Sequence, residues 1–158
     1  MLNPFPKGID SRLPPDWFYD RMTGADCFVG AVAAQFSYIG LFNDDNAGRS
    51  LYCYGLSFNT SPAGNVVIEK IQGKQAGASN LTTFGTTKLD AAKQAGQPYT
   101  FSNASCVGTH IGQLIGIQGQ GQWNYDWPWA VVPPGMSVLL QSSAVNSLIA
   151  AGLWWLAK

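Results

Sequence analysis

Residues 50–58 read SLYCYGLSF and alternate strictly: Tyr52, Tyr54, Leu56 and Phe58 fall on one side of an extended chain, Leu51, Cys53, Gly55 and Ser57 on the other. A period of two marks a β-strand, because successive side chains point to opposite faces of the pleat. Both sides carry apolar groups, which predicts a strand covered on both faces. Turn formers bracket it, NDDNAG at 43–48 and NTSPAGN at 59–65, and a further β-rich run, VVIEKIQG, follows at 66–73. The predicted local unit is strand, turn, strand.

The pattern extends in both directions. Upstream, CFVGAVAAQFSYIGLF (27–42) places Phe28, Val32, Ala34, Phe36 and Tyr38 on one side of an extended chain; Phe28, Val32 and Phe36 also fit a helix face, and Gly30 with the aromatics favours strand. Downstream, residues 73–98 are small, polar and Gly-rich, a long connection in which KLDAAKQAG (88–96) predicts a short helix ended by Gly96. Four more β runs follow at 98–106, 110–119, 129–132 and 136–141. In the last segment, 143–158, a helical stripe of Val145, Leu148, Ile149, Gly152, Leu153 and Leu156 competes with Trp154 and Trp155, which suit a sheet. Strand is the reading, apolar on both faces, hence central in a sheet or pressed against another chain. Strands every ten residues or about that predict an all-β antiparallel sandwich rather than an α/β fold.

Residues 1–22 differ from this body. Pro4, Pro6, Pro14 and Pro15 alternate with Phe5, Trp17, Phe18 and Tyr19, which predicts an extended arm whose large apolar side chains seat on its own domain or on a neighbour. The domain division is therefore an arm at 1–22 and a sandwich at 23–158.

Composition bounds the function. Charged residues make up 11% of the 158-residue chain and aromatics 13%, with nine basic residues against nine acidic. A surface this poor in charge predicts that part of it is covered in the working state, and the absence of a basic run argues against nucleic acid. The N-terminal residues lack a secretory pattern and no apolar run is long enough for a membrane helix. Cys27, Cys53 and Cys106 are odd in number, far apart and without a CxxC pair, which predicts buried free thiols made in a reducing compartment.

Groups able to do chemistry are few. His110 is the single histidine, so a nucleophilic pair must be built from Cys106 and His110, four residues apart across Gly108; a hydrogen-bonded structural histidine is the simpler reading. Asp44 and Asp45 lie in the NDDNAG turn, where turn chemistry is expected and weak Ca²⁺ binding is the alternative; Asp16, Asp20 and Asp26 are looser candidates. GQGQW (119–123) lacks the lysine and the strand-to-helix context of a phosphate loop. The expectation is no enzyme, no cofactor and no metal.

The aromatic segment WNYDWPWAVVPPG (123–135) leaves three readings open: subunit packing, cover for the core, or a ligand platform flanked by Asn124, Asp126, Gln120 and Gln122. Residues 127–158, with VPPG closing a strand, then MSVLLQ, the small turn SSAVNS and the terminal LIAAGLWWL, resemble the closing strands of the jelly-roll cement or decoration proteins on tailed-phage capsids. The resemblance implies a jelly-roll-like sandwich, a homotrimer, binding between subunits of the major capsid protein, and a place on the virion surface after assembly in the host cytoplasm. Tyr52, Tyr54, Leu56, Phe58, Met136, Val138 and Leu140 are the expected core residues. Phe5, Trp17, Phe18, Tyr19, Trp123, Tyr125, Trp127 and Trp129 are the expected interface. A carbohydrate-binding module or receptor-binding tip, with Trp123, Tyr125 and Trp127 as stacking residues, is the competing function.

Overall fold

The computed structural model describes residues 22–82, 84–86, 95–123 and 128–158. Every regular element among them is a strand: β1 (Thr23–Val29), β2 (Phe36–Phe42), β3 (Leu51–Ser61), β4 (Val66–Gln72), β5 (Ser79–Asn80), β6 (Gly85–Thr86), β7 (Gln97–Asn103), β8 (Thr109–Leu114), β9 (Gln120–Trp123), β10 (Ala130–Val132), β11 (Met136–Ser142) and β12 (Leu148–Ala157). They form two antiparallel sheets. The first runs β10-β3-β12-β1-β6 with β9 also on β3, the second β5-β7-β2-β11-β4-β8.

The pairings β1–β12, β2–β11, β3–β9/β10 and β4–β8 are those of one long hairpin whose two arms run side by side and wrap between the sheets. That winding is a jelly roll, and it puts β12 in the centre of the first sheet, between β1 and β3. The C-terminal segment is therefore strand, as its tryptophans suggested. The predicted helix falls largely on residues 88–94, outside the described residues, as do residues 1–21.

Two expected strands are interrupted. Residues 30–35 turn a corner instead of continuing a strand: β1 belongs to the first sheet and β2 to the second, with Ala34 at φ 58° between them. Gly30, Ala31, Ala33 and Ala34 bring little side chain to bury, so extended pairing has nothing to hold it there. The run at 110–119 likewise ends at Leu114 and turns through Gln118 (φ 53°) into β9.

The core between the sheets comprises Cys27, Ile39, Leu41, Leu51, Cys53, Leu56, Phe58, Val66, Ile68, Val138, Leu140, Ile149, Leu153 and Trp155, with Met136 half-buried against it. Tyr52 and Tyr54, expected inside, lie on the outer face. The cause is a β-bulge: Trp154 lies opposite Gly55 and Trp155 opposite Cys53, so Tyr54 is left as the extra residue and the inward parity of β3 switches. Leu51 and Cys53 point in before it; Leu56, Phe58 and Thr60 point in after it. Tyr54 instead joins Met22, Leu156 and Trp154 in a small outer cluster.

The outer face of the second sheet carries its own apolar layer, Tyr38, Tyr99 and Leu139, with Ala78 and Val107 from the loops over it and Phe101 stacked 4.5 Å from Tyr38. Gly40 is obligatory beneath this layer, because a Cβ there would lie 2.3 Å from the Tyr99 ring.

At three corners the two arms of the long hairpin cross together, and each crossing is tied by polar groups centred on one buried residue, Ser37, Asn43 or Thr60. Ser37 is buried: its N–H donates to Ser142 Oγ (3.0 Å) and its hydroxyl donates to the Ser147 carbonyl (2.6 Å), while Ala34 N–H donates to Asn146 Oδ1 (2.6 Å). Asn43 Nδ2 donates to the Arg49 and Val132 carbonyls, both at 2.8 Å. Thr60 N–H donates to the Gly119 carbonyl (2.7 Å), its hydroxyl accepts from Gly64 N–H (3.0 Å), and Gly116 N–H donates to Asn65 Oδ1 (3.1 Å).

The bulge makes a prediction that strict alternation reverses. Leu56→Ala opens a cavity between the sheets and lowers stability by about 3 kcal/mol, whereas Tyr52→Ala, on the outer face, costs about 1 kcal/mol. Urea unfolding of the two variants measures the difference; equal costs would place both residues on one face.

Candidate functional site

Charge is distributed unevenly along the chain. Between Lys93 and Lys158 the only charged residue is Asp126. This stretch supplies β8, an edge of the second sheet, and β9 and β10, which lie beside β3 in the first. Edge strands ordinarily carry Lys, Pro or a bulge that discourages pairing with another chain. β8, THIGQL, has no Lys or Pro, and its one irregularity is a register shift opposite Ile68/Glu69.

Large apolar side chains crowd this edge in exposed positions. Ile111 on β8 is 50% exposed, and Ile115 and Ile117 in the corner after it are 79% and 82% exposed. The corner itself is held rigidly. Gly116 and Gly119 press against the β3–β4 turn so closely that a Cβ would meet Gly64 O at 2.7 Å and Thr60 O at 2.6 Å. The two isoleucines are thus displayed by a corner tied to the core, with the amide bonds of Gly116 and Thr60 fixing it. Sequence reading placed Ile111, Ile115 and Ile117 inside one β run and missed their exposure. The usable signal was the long charge-free stretch around them.

The expected interface residues are only partly within the described set. Phe5, Trp17, Phe18, Tyr19, Tyr125 and Trp127 lie outside it. The backbone of Trp123 pairs with Leu56, and its side chain lies outside it too. Trp129 is half-buried against the core; its Nε1 donates to the Gly55 carbonyl at 3.4 Å and its backbone N–H to the Cys53 carbonyl at 2.8 Å. The arm meets the fold at Met22, which is buried on the outer face of the first sheet beside Leu156.

The ionisable candidates are separated and mostly engaged in structure. Asp45 accepts from Ala47 N–H, Arg49 N–H and Arg49 Nε (2.7 Å), and the guanidinium holds its carboxyl below the usual range. Asp44 Oδ1 accepts from Gly96 N–H at 2.7 Å. These are turn and corner roles, as NDDNAG suggested. Glu69 is buried and accepts from Gly108 N–H at 2.9 Å. His110 lies opposite Glu69 on the neighbouring strand, exposed, and its side chain makes no hydrogen bond among the described residues, which corrects the expectation of a bonded histidine. The Cys106 thiol contacts the Gln141 amide (3.6 Å) instead of His110. Among the described residues no three His, Cys, Asp or Glu side chains gather as a metal site.

Comparison with protein-family models, with curated proteins and with solved structures gives no match for this chain.

Cys27 and Cys53 are buried and Cys106 is exposed, so one of the three thiols departs from the expected burial. Burial, with a smaller contribution from Asp26, pushes Cys27 up to about 12, and burial raises Cys53 as well. At pH 8 the native protein is expected to release one fast equivalent with a disulfide reagent, from Cys106, and three equivalents after unfolding in urea. Two or more fast equivalents would contradict the burial of Cys27 and Cys53.

Proposed function

We propose that this chain is a non-enzymatic structural protein of a virion, a cement or decoration protein of a tailed-phage capsid that assembles as a homotrimer and stabilises the particle by binding between major capsid subunits. The observation that carries the reading is the uncharged β8 edge with Ile111, Ile115 and Ile117 displayed on it. A protein that stays monomeric in water seldom leaves such an edge unguarded. Covering three isoleucines contributes on the order of several kcal/mol before the entropic cost of association is subtracted. A heterologous contact of an edge with a different surface of the next copy closes a ring when the rotation permits, and three copies are the number the family resemblance implies.

The jelly-roll winding and the C-terminal strands that resemble cement proteins support the same reading. So does the use of Asp44, Asp45 and Glu69 in corners and loops, where each carboxylate serves the fold. The arm, with Phe5, Trp17, Phe18 and Tyr19, and the segment Trp123, Tyr125, Trp127 are assigned to contacts with capsid subunits. Neither nucleic acid nor membrane is a partner, no cofactor takes part, and the working location is the capsid surface.

Sedimentation of the purified chain at micromolar concentration, followed by mixing with capsids that lack it, tests this. A trimer is expected, together with saturable binding that raises the temperature at which the capsids open. The triple variant Ile111→Lys, Ile115→Lys, Ile117→Lys is expected to fold with an unchanged far-UV spectrum and to sediment as a monomer. A native chain that is monomeric and leaves the capsids unchanged would overturn the proposal.

A further inference from the structure

Beside the Met22 and Leu156 cluster the outer face of the first sheet is open among the described residues, and a concavity of about 850 Å³ lies on it. Cross-strand register builds it from two rows. One row runs Asp26, Gly152, Ser57, Gln122 across β1, β12, β3 and β9; the next runs Phe28, Ala150, Asn59, Gln120 across the same strands. The inward turn of Gly121 under Phe58, where a Cβ would lie 2.2 Å from the ring, sends Gln120 and Gln122 outward into these rows.

The rows have a floor and two walls. β12 contributes only Ala150 and Gly152, so the floor is low. β1 raises Asp26 on one side, with Phe28 next to it in the register; β3 and β9 raise Ser57, Asn59, Gln120 and Gln122 on the other, with Ile117 and Gln118 at the β9 end. The walls stand two strand spacings apart, roughly 10 Å, which suits one six-membered sugar ring across the gap. At one end the Trp154 indole lies against the sheet over Gly24 and Gly152, where added Cβ atoms would come within 2.8 Å and 2.7 Å of it.

The chemistry of the walls selects the ligand. Asp26, Ser57, Asn59, Gln120 and Gln122 make no side-chain hydrogen bond to any described residue, so all five are available. They offer amide and hydroxyl donors and acceptors and one carboxylate, and among the described residues no Lys, Arg or His lines the concavity. An anionic ligand would meet a carboxylate with no cation to balance it, whereas a neutral polyhydroxylated one would have its hydroxyls accepted by Asp26 and bridged by the amides. Phe28, 64% exposed, is an aromatic ring standing in solvent beside this array, available to the apolar C–H face of a sugar.

We infer that the outer face of the first sheet, between Phe28 and Asp26 on β1 and Ser57, Asn59, Gln120 and Gln122 on β3 and β9, is a binding site for a neutral oligosaccharide. This goes beyond the capsid role and does not need it, and it uses residues other than the Trp123, Tyr125 and Trp127 platform considered from sequence. The sugar stacks on Phe28, rests on Ala150 beside the Trp154 indole that covers Gly152, and exchanges hydrogen bonds with both walls. Ile117, at the corner before β9, borders the concavity, so the site adjoins the isoleucine surface and a copy seated there would narrow its β9 end.

Titration of the full-length, isotope-labelled chain with maltotriose, cellotriose, lactose and triacetylchitotriose, followed by amide shifts in nuclear magnetic resonance spectra, tests the site. At least one of these sugars is expected to give saturable shifts centred on Asp26, Ser57, Asn59 and Gly152. Phe28→Ala and Asn59→Ala are each expected to weaken that binding about tenfold, and Ala150→Trp, which fills the floor without removing a polar group, to abolish it. A sulfated heparin tetrasaccharide is expected not to bind there. No saturable shift with any of the four sugars, shifts confined to another face, equal affinity in the three variants, or preference for the sulfated sugar or for a peptide at this face would each overturn the inference. The assay contains no capsid, so its failure is separable from failure of the capsid role.

Discussion

The jelly roll depends on carrying two strands of a long hairpin from one sheet to the other together, three times, without leaving buried backbone groups unpaired. Regular ladders cannot supply those bonds at a corner, and an unpaired buried carbonyl or amide costs about as much as a whole hydrogen bond contributes. Ser37, Asn43 and Thr60 supply them instead, each almost wholly buried. Asn43 does this most fully: one side-chain amide reaches two carbonyls, Arg49 of one arm and Val132 of the other, while its own N–H donates to Met136. Every strand pairing between the corners follows from the arms being fixed there.

This frame accounts for the character of the surface. With the corners tied, the second sheet can carry an extra layer of Tyr38, Tyr99 and Leu139 outside it, and the first sheet can leave its outer face open over a floor of Ala150 and Gly152. The same rigidity displays Ile115 and Ile117 on a corner that cannot fold them back into the core. A face rich in neutral hydrogen-bonding groups and an edge rich in isoleucine are suited to different partners, and they adjoin at Ile117. Low charge, visible in composition, is concentrated in effect at this edge.

Strands were legible where period two ran unbroken, as in SLYCYGLSF; the terminal LIAAGLWWL, apolar on both faces, was read as strand from Trp154 and Trp155 against a competing helical stripe. The inward face of β3 was half legible: Leu56 and Phe58 are core as expected, but the bulge at Tyr54 reversed the parity before it, and a bulge depends on the opposing Trp154 and Trp155, which no local pattern reveals. Corners were illegible for the same reason. Residues 30–35 and 115–119 differ little in hydropathy from the strands beside them, and what makes them turn is a bond to a distant segment, Asn146 in one case and Thr60 in the other. The two rows of the open face were hidden because Asp26, Ser57 and Gln122 are separated by tens of residues and meet only through register. The aromatic residues of the arm and of the segment 123–127 lie largely outside the described residues.

Native-state amide exchange tests the claim about the corners most directly. The amides of Ser37, Asn43 and Thr60 are predicted to exchange only through global unfolding, with the same free energy as those of Leu153 and Trp155 in the central strand. Opening of any of the three corners about 2 kcal/mol or more below the global value would show that the arms are held by their ladders alone, and that the polar groups at the crossings are incidental to the fold.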